Sequence, residues 1–171
     1  MTVDHTLPRY PFTAIFFNHT RFIAPSNPDT ELSEVTIMAK GTFVTAINCM
    51  DGRTQEPVNV WMRENFGADF VDTITEAGPD GILANGPYRT IGAIIDRVRI
   101  SVNMHGSQVV AVVAHTKCAG NPVTKKEHME HLGLAVREVS SWAGDVRVIG
   151  LWVNSKWEVE LIYDTVDESE G

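Results

Sequence analysis

The order of apolar and polar residues changes at residue 41, where strand-like and helix-like patterns begin to alternate. The clearest helix pattern covers residues 88–105, which carry one apolar stripe at helical spacing. The clearest strand pattern covers residues 108–114 and is apolar on both faces, as in a central parallel strand. In chain order, the predicted elements are strand 42–48, helix 55–66, strand 70–75, helix 88–105, strand 108–114, helix 124–142, strand 146–153 and strand 157–163.

This alternation predicts an α/β fold with a mostly parallel central sheet, helices on both faces and a C-terminal antiparallel edge made by the last two strands. Thr124 and Glu127 are spaced as a capping box at the start of the helix 124–142. Segments 78–81 and 85–87 are rich in Gly, Pro, Asn and Asp, and we interpret both as turns.

Residues 1–40 differ from the rest of the chain, because they combine several prolines with an aromatic stretch at 12–17. Proline is poor inside helices and central strands, and exposed aromatic residues need a covering partner. We expect an N-terminal arm with one strand, laid over a neighbouring element or a second subunit. Residues 41–164 are predicted to form one domain, and residues 165–171 an acidic tail.

Composition and charge narrow the classes of partner. A length of 171 residues suits a single domain with an apolar core. A net charge of −8 argues against a nucleic-acid or anionic-membrane partner, because both attract Lys and Arg. No apolar run approaches the length of a membrane span, and no leader-like pattern opens the chain. We therefore expect a cytoplasmic protein whose two cysteines are reduced and bind metal or take part in catalysis.

Candidate metal ligands follow two of the predicted strands. Cys49 comes after strand 42–48, while His115 and Cys118 come after strand 108–114. The carboxyl ends of parallel strands meet at one edge of a sheet, so these side chains are expected to meet if the two strands are neighbours. Two sulfurs and one imidazole suit Zn²⁺ and leave a fourth position for water, whose pKa zinc lowers to about 7. Asp51 could orient the resulting hydroxide, and Arg53 could keep Asp51 ionised.

Structural explanations compete with this one. Free cysteines are often small buried apolar residues. The spacing Cys-x-Asp-x-Arg at 49–53 or the spacing His-x-x-Cys at 115–118 would by itself match by chance. The two spacings together favour a metal site. His128 and His131 lie three apart in a predicted helix, but without a third ligand we interpret this segment as a solvated helix face. The tryptophans are expected to be core or interface anchors: Trp61, Trp142, Trp152 and Trp157.

Residues 49–53, CMDGR, resemble the Cys-x-Asp-x-Arg signature of the β-class carbonic anhydrases, and residues 115–118, HTKC, resemble their His-x-x-Cys signature. The resemblance covers roughly residues 42–157 and identifies a divergent member of that family. It implies a zinc lyase that hydrates carbon dioxide to bicarbonate through zinc-bound hydroxide and assembles as a homodimer or larger homo-oligomer. The residues it implies are Cys49, His115 and Cys118 as zinc ligands, Asp51 and Arg53 as the catalytic pair, and Ala77 and Gly78 at the substrate pocket.

Three positions depart from the family pattern. Gly52 stands where a serine or alanine is usual, Ala119 replaces the usual glycine after the second cysteine, and Glu76 replaces a usual asparagine. We expect Gly52 to loosen the loop that aims Asp51 and Glu76 to add a carboxylate near the site. Relatives of this fold hydrolyse carbonyl sulfide or carbon disulfide with similar ligands. Such a hydrolase, or a catalytically silent zinc-stabilised binding protein, therefore remains an alternative.

Overall fold

The computed structural model describes residues 40–166. The predicted N-terminal arm (1–40) and acidic tail (165–171) fall almost wholly outside these residues and stay predictions. No helix within 40–166 is long and apolar enough to cross a membrane. The elements are β1 (Phe43–Cys49), α1 (Gly52–Phe66), β2 (Phe70–Glu76), α2 (Pro79–Asn85), α3 (Tyr88–His105), β3 (Val109–His115), α4 (Lys125–Trp142), β4 (Arg147–Val153) and β5 (Val159–Asp164).

The strands form one sheet in the order β2-β1-β3-β4-β5. The first four are parallel, and β5 pairs antiparallel with β4 at the edge. This confirms the predicted α/β architecture. β1 and β3 are direct neighbours, with Ala46 opposite Ala111. Their carboxyl ends therefore lie side by side.

Two apolar layers cover the sheet, and alternate residues of β3 point into each of them. Val110 and Val112 pack in a cluster that includes residues of α2, α3 and α4. Ala111 and Val113 pack in a second cluster with Val58 and other residues of α1. All seven residues of β3 are buried, which confirms the prediction of a central strand that is apolar on both faces.

Residues 79–85 form the helix α2, so the prediction of a turn at 78–81 was wrong, whereas 85–87 does contain the connection between α2 and α3. Gly78 has a left-handed backbone (φ 67°), which turns the chain sharply into α2. Pro79 then occupies the first helical turn, where its missing N–H costs nothing. Glycine and proline therefore mark the entrance of a short helix.

His128 of α4 is buried, so the prediction of a solvated face was wrong at this residue, although Glu127 and Glu130 are exposed. His128 is only 1% exposed, and its ring packs against Trp152 with centroids 5.4 Å apart. Its Nδ1 atom lies 2.6 Å from the carboxylate of Asp80, which belongs to α2. The sequence analysis did not predict α2, so it did not identify the element that covers His128. The capping box at Thr124 and Glu127 was correctly predicted.

Two element boundaries also moved for local reasons. α1 begins at Gly52 because the Asp51 carboxylate caps it, accepting a hydrogen bond from the Arg53 backbone N–H (3.1 Å). β5 begins at Val159, later than the predicted 157, because Trp157 has φ 65° and donates its backbone N–H to the Asn154 carbonyl within the turn.

An ion pair joins the two strands of the antiparallel edge and should make stability depend on pH. The Arg147 Nε atom donates to Asp164 Oδ1 (3.0 Å), and Asp164 is buried. Arg147 holds the pKa of Asp164 below its usual range. The stabilisation is present above the ordinary carboxyl pKa of about 4 and is lost as the pH falls through the lower pKa of the folded state.

We expect Asp164→Asn to reduce the free energy of unfolding at pH 7 by about 1–3 kcal/mol, measured by urea denaturation. The loss should shrink as the pH is lowered below the ordinary carboxyl pKa of about 4, because the unfolded wild-type chain then takes up a proton that the native ion pair disfavours. Asp96→Asn, at an exposed acid of α3, is the matched control and should change little. An Asp164→Asn deficit that stays constant at acid pH would contradict this account.

Candidate metal centre

Three side chains proposed as ligands from the sequence converge at the carboxyl edge of the sheet. Cys49 ends β1, His115 ends β3, and Cys118 lies in the turn that follows β3. Their ligand atoms all lie within 4.8 Å of one another, and the two sulfurs are 3.8 Å apart. All three residues are buried. Among the described residues they form a group that could hold a metal ion.

The dimensions and donors of this cluster fit a tetrahedral zinc ion. Two Zn–S bonds of about 2.3 Å at a tetrahedral angle place their sulfurs about 3.8 Å apart. His115 Nδ1 lies 2.9 Å from the Thr116 carbonyl oxygen, which can only accept, so Nδ1 carries the ring proton. Nε2 is then a lone-pair donor, and it is buried without a hydrogen-bond partner. A metal ion would satisfy this nitrogen.

The surroundings of the two thiols shift their pKa values in opposite directions. The hydrogen bond from the Cys118 thiol, helped by His115 and backbone N–H groups, lowers the pKa of Cys49 to about 4 against the effect of burial. Contact with the Cys49 sulfur and burial raise the pKa of Cys118. Burial lowers the pKa of His115, but the Cys49 sulfur outweighs it and raises the pKa overall. A divalent cation favours the ionised form of both thiols and so removes this conflict.

Backbone N–H groups point at both sulfurs. The N–H groups of Gly78 and Asp51 contact the Cys49 sulfur, and those of Asn121 and Gly120 contact the Cys118 sulfur. Hydrogen bonds of this kind stabilise thiolates without adding charge. The loops after β1, β2 and β3 therefore all help to form the centre.

Asp51 and Arg53 form a bidentate ion pair beside the cluster. Arg53 donates from Nε to Asp51 Oδ1 (2.9 Å) and from Nη2 to Oδ2 (2.5 Å), and its guanidinium lies 4.7 Å from the centroid of the Trp157 ring. These contacts hold the pKa of the Asp51 carboxyl well below its usual range. Both oxygens of Asp51 are engaged by Arg53, and Asp51 is not among the three clustered ligands.

Two buried polar residues brace this loop and were not singled out from the sequence. Asn48 Oδ1 accepts the backbone N–H of Cys49 (2.8 Å). The Thr54 hydroxyl lies 2.9 Å from the Asp51 carbonyl and 3.0 Å from Asn48 Oδ1. The sequence signal that could have identified Asn48 was an amide side chain at the end of an otherwise apolar strand.

The loop after β2 packs backbone to backbone on the turn after Cys118. A Cβ atom on Gly120 would lie 2.4 Å from the Ala77 carbonyl carbon, and one on Gly78 would lie 2.7 Å from the Asn121 nitrogen. Gly78 is buried at this contact, while Ala77 is exposed. The close approach falls at residue 120, which explains why Ala119 is tolerated where a glycine was expected.

A buried polar network fastens the same turn to the helices. Asp80 Oδ2 accepts hydrogen bonds from Asn121 Nδ2 (2.8 Å) and from His128 Nδ1 (2.6 Å). Asn121 Nδ2 also lies 3.1 Å from His131 Nδ1. Sequence reasoning missed Asp80 and Asn121 because it did not predict α2.

Glu76 does not join the metal cluster. It pairs in register with Cys49, and its carbonyl accepts the Met50 N–H (2.8 Å). Its carboxylate lies 2.8 Å from Arg97 of α3, which neutralises it. The extra carboxylate that we expected near the site therefore forms an ion pair with α3 instead.

The fold and this cluster define an α/β protein with a buried Cys–His–Cys candidate metal centre at the carboxyl edge of a parallel sheet. The family model described as "Putative carbonic anhydrase" matches residues 39–163, so the chain belongs to this carbonic anhydrase family. A search of curated proteins found no match.

Several solved structures resemble the chain at low sequence identity. The β-carbonic anhydrase isoform I of the protozoan Trichomonas vaginalis is 14% identical over 77% of this chain and 88% of its own, with a TM-score of 0.48. A carbon disulfide hydrolase in its apo form is 16% identical over 68% and 76%, with a TM-score of 0.43. A tetrameric β-carbonic anhydrase of the ascomycete Sordaria macrospora is 11% identical over 71% and 81%, with a TM-score of 0.40.

Two glycine substitutions should have opposite effects. Gly52 lies in the first turn of α1, and a Cβ there would meet nothing within 4 Å. We expect Gly52→Ala to raise the free energy of unfolding by about 0.4–1 kcal/mol, because it restricts the unfolded chain. Gly120→Ala should destabilise the protein and weaken metal binding, since the two loops must separate.

Urea denaturation and metal content per chain would measure both effects. A destabilising Gly52→Ala would instead support the expectation that residue 52 must stay flexible. A Gly120→Ala variant with unchanged stability and metal content would contradict the close packing of the loops.

Proposed function

We propose that this protein is a zinc-dependent carbonic anhydrase that interconverts carbon dioxide and bicarbonate. The observation that carries the proposal is the buried cluster of Cys49, His115 and Cys118 with an ionised Asp51 held beside it, in a chain of the carbonic anhydrase family. Two sulfurs and one imidazole nitrogen are ligands that favour zinc over magnesium or calcium.

Each side chain has a distinct role in this proposal. Cys49, Cys118 and His115 Nε2 would hold the metal. Bound zinc would supply Lewis-acid chemistry that makes water a nucleophile at neutral pH. Asp51, kept ionised by Arg53, would accept a hydrogen bond from the attacking water and so aim its lone pair at the carbon of the substrate. The Ala77–Gly78 backbone would lie at the pocket of a small linear substrate.

The geometry of Asp51 supports an open fourth position. A catalytically silent zinc site would need a fourth protein ligand, and Asp51, which lies beside the cluster, is the candidate for it. Both Asp51 oxygens contact Arg53, and breaking that bidentate pair would cost two charge-assisted hydrogen bonds. Hydrolysis of carbonyl sulfide or carbon disulfide would use the same residues and is the alternative activity.

Stopped-flow hydration of carbon dioxide by the zinc-loaded protein, at pH 7 and pH 8.5, tests the proposal. We expect catalysis above the uncatalysed rate and one zinc per chain. Asp51→Ala should retain zinc and lose about 10²–10⁴-fold in kcat, because a positioned proton acceptor is removed. Cys118→Ser should lose the metal. Glu64→Ala, at an exposed acid of α1, is the control and should behave as wild type.

A fully zinc-loaded wild type without carbon dioxide activity at either pH would overturn the proposal. Assays with carbonyl sulfide and carbon disulfide on the same preparation would then decide between the alternative hydrolase and a non-enzymatic zinc protein.

We also propose that the protein forms a homodimer or a larger homo-oligomer. Exposed apolar side chains lie on β2 and on the outer face of α3, where Phe70, Ile100 and Met104 are each at least half exposed. Apolar surface of this kind is often an interface. Light scattering should give a multiple of 18.9 kDa. Ile100→Glu with Met104→Glu should lower the mass, and the control Leu134→Glu on α4 should not. A monomeric wild type would contradict this proposal.

A further inference from the structure

A cavity of about 230 Å³ opens beside the turn between His115 and Cys118. Its walls come from the turn itself (Thr116, Lys117), from α4 (Lys125, His128) and from the end of β4. None of the proposed metal ligands lines it, nor does Asp51 or Arg53. It is therefore separate from the metal centre, although the two share a turn.

The cavity is basic in an acidic chain. The protein carries a net charge of −8, yet the lining residues include two lysines and no carboxylate. Neither Lys117 nor Lys125 pairs with a carboxylate within residues 40–166; on the same helix turn, Lys126 instead approaches Glu130 (3.8 Å). The Lys125 ammonium lies 5.4 Å from the Trp152 ring centroid, which keeps it at the cavity.

A buried imidazole nitrogen in the wall lacks a partner. His128 is 1% exposed, and its Nδ1 atom is taken by Asp80 (2.6 Å). The other ring nitrogen, Nε2, is buried and has no hydrogen-bond partner. Buried polar atoms are nearly always paired, and His128 lines the cavity, so a ligand that reaches this nitrogen would complete it.

The start of α4 adds to the positive potential. Lys125 is the first residue of this 18-residue helix, where the backbone dipole already favours negative charge. Glu127, the acid of this first turn, does not line the cavity, because its carboxylate is bonded to the Thr124 hydroxyl and N–H. Lys117 and Lys125 are both exposed at this cavity, so an anion there would meet two ammonium groups as well as the helix end.

We propose that this cavity binds a small oxyanion that carries a hydroxyl group, of the hydrogen phosphate class. The two ammonium groups would donate to its charged oxygens. The His128 Nε2 atom would pair with its hydroxyl when neutral, or with a charged oxygen when protonated. The ligand could be free phosphate or the phosphate of a small monoester. Since His115 Nδ1 donates to the Thr116 carbonyl, an anion at this turn would also steady the metal centre.

Calorimetric titration of the zinc-loaded full chain with sodium phosphate tests the proposal, in a phosphate-free buffer at constant ionic strength and at about pH 6, where phosphate and a large share of its monoesters carry a hydroxyl. We expect saturable binding, with weaker binding of sulfate, which has no hydroxyl at neutral pH. Lys125→Ala should weaken phosphate binding about tenfold, because one charge-assisted contact is lost. The control Lys126→Ala should leave it within about twofold. Glycerol phosphate, titrated in parallel, distinguishes the sources: tighter binding than free phosphate assigns a monoester, and weaker binding assigns the free anion.

Three results would overturn the proposal. One is no phosphate binding beyond that of chloride at matched ionic strength. Another is equal weakening by Lys125→Ala and Lys126→Ala, which would indicate general surface charge. The third is binding that Lys125→Ala leaves unchanged, which would place the anion elsewhere, including at the metal. None of these results depends on whether the protein hydrates carbon dioxide.

Discussion

Parallel pairing of β1 with β3 is the constraint on which the rest of the structure depends. It brings the carboxyl ends of two strands that are distant in sequence to one edge of the sheet, so that Cys49 and His115 leave the sheet side by side. The pairing is stable because both strands are buried on both faces. A side chain at either strand end is thus held by a rigid apolar layer, and a small shift of register would separate the ligand atoms.

Backbone contacts between loops complete the candidate metal centre that the pairing of β1 with β3 brings together. The loop after β2 and the turn after Cys118 approach so closely that Gly78 and Gly120 have no room for a Cβ atom. This approach brings peptide N–H groups to both sulfurs. Asp80 and Asn121 join the turn to α2 by a buried hydrogen bond of 2.8 Å, so the helix and the sulfur-bearing turn are linked directly.

Charge is distributed so that the acids around the centre have partners. Asp51 is engaged by Arg53 and Glu76 by Arg97, and neither carboxylate belongs to the Cys–His–Cys cluster. By contrast, Lys117 and Lys125 have no carboxylate partner in the part of the chain that the structure describes. This contrast within an acidic protein is what separates the two candidate sites: one suits a cation, the other an anion.

The sequence by itself determined the α/β class, the extent of α3 and the capping box of α4, because these depend on local periodicity and on caps within one turn. It also determined the candidate ligands, since only a few residue types bind a soft cation. The tertiary structure decided what depends on contacts between distant segments. These are the helix α2, the burial of His128 under it, and the close backbone contact that requires glycine at residue 120 rather than at residue 119. No local pattern reports such contacts, because the free energy that stabilises them comes from surfaces that meet only in the folded chain.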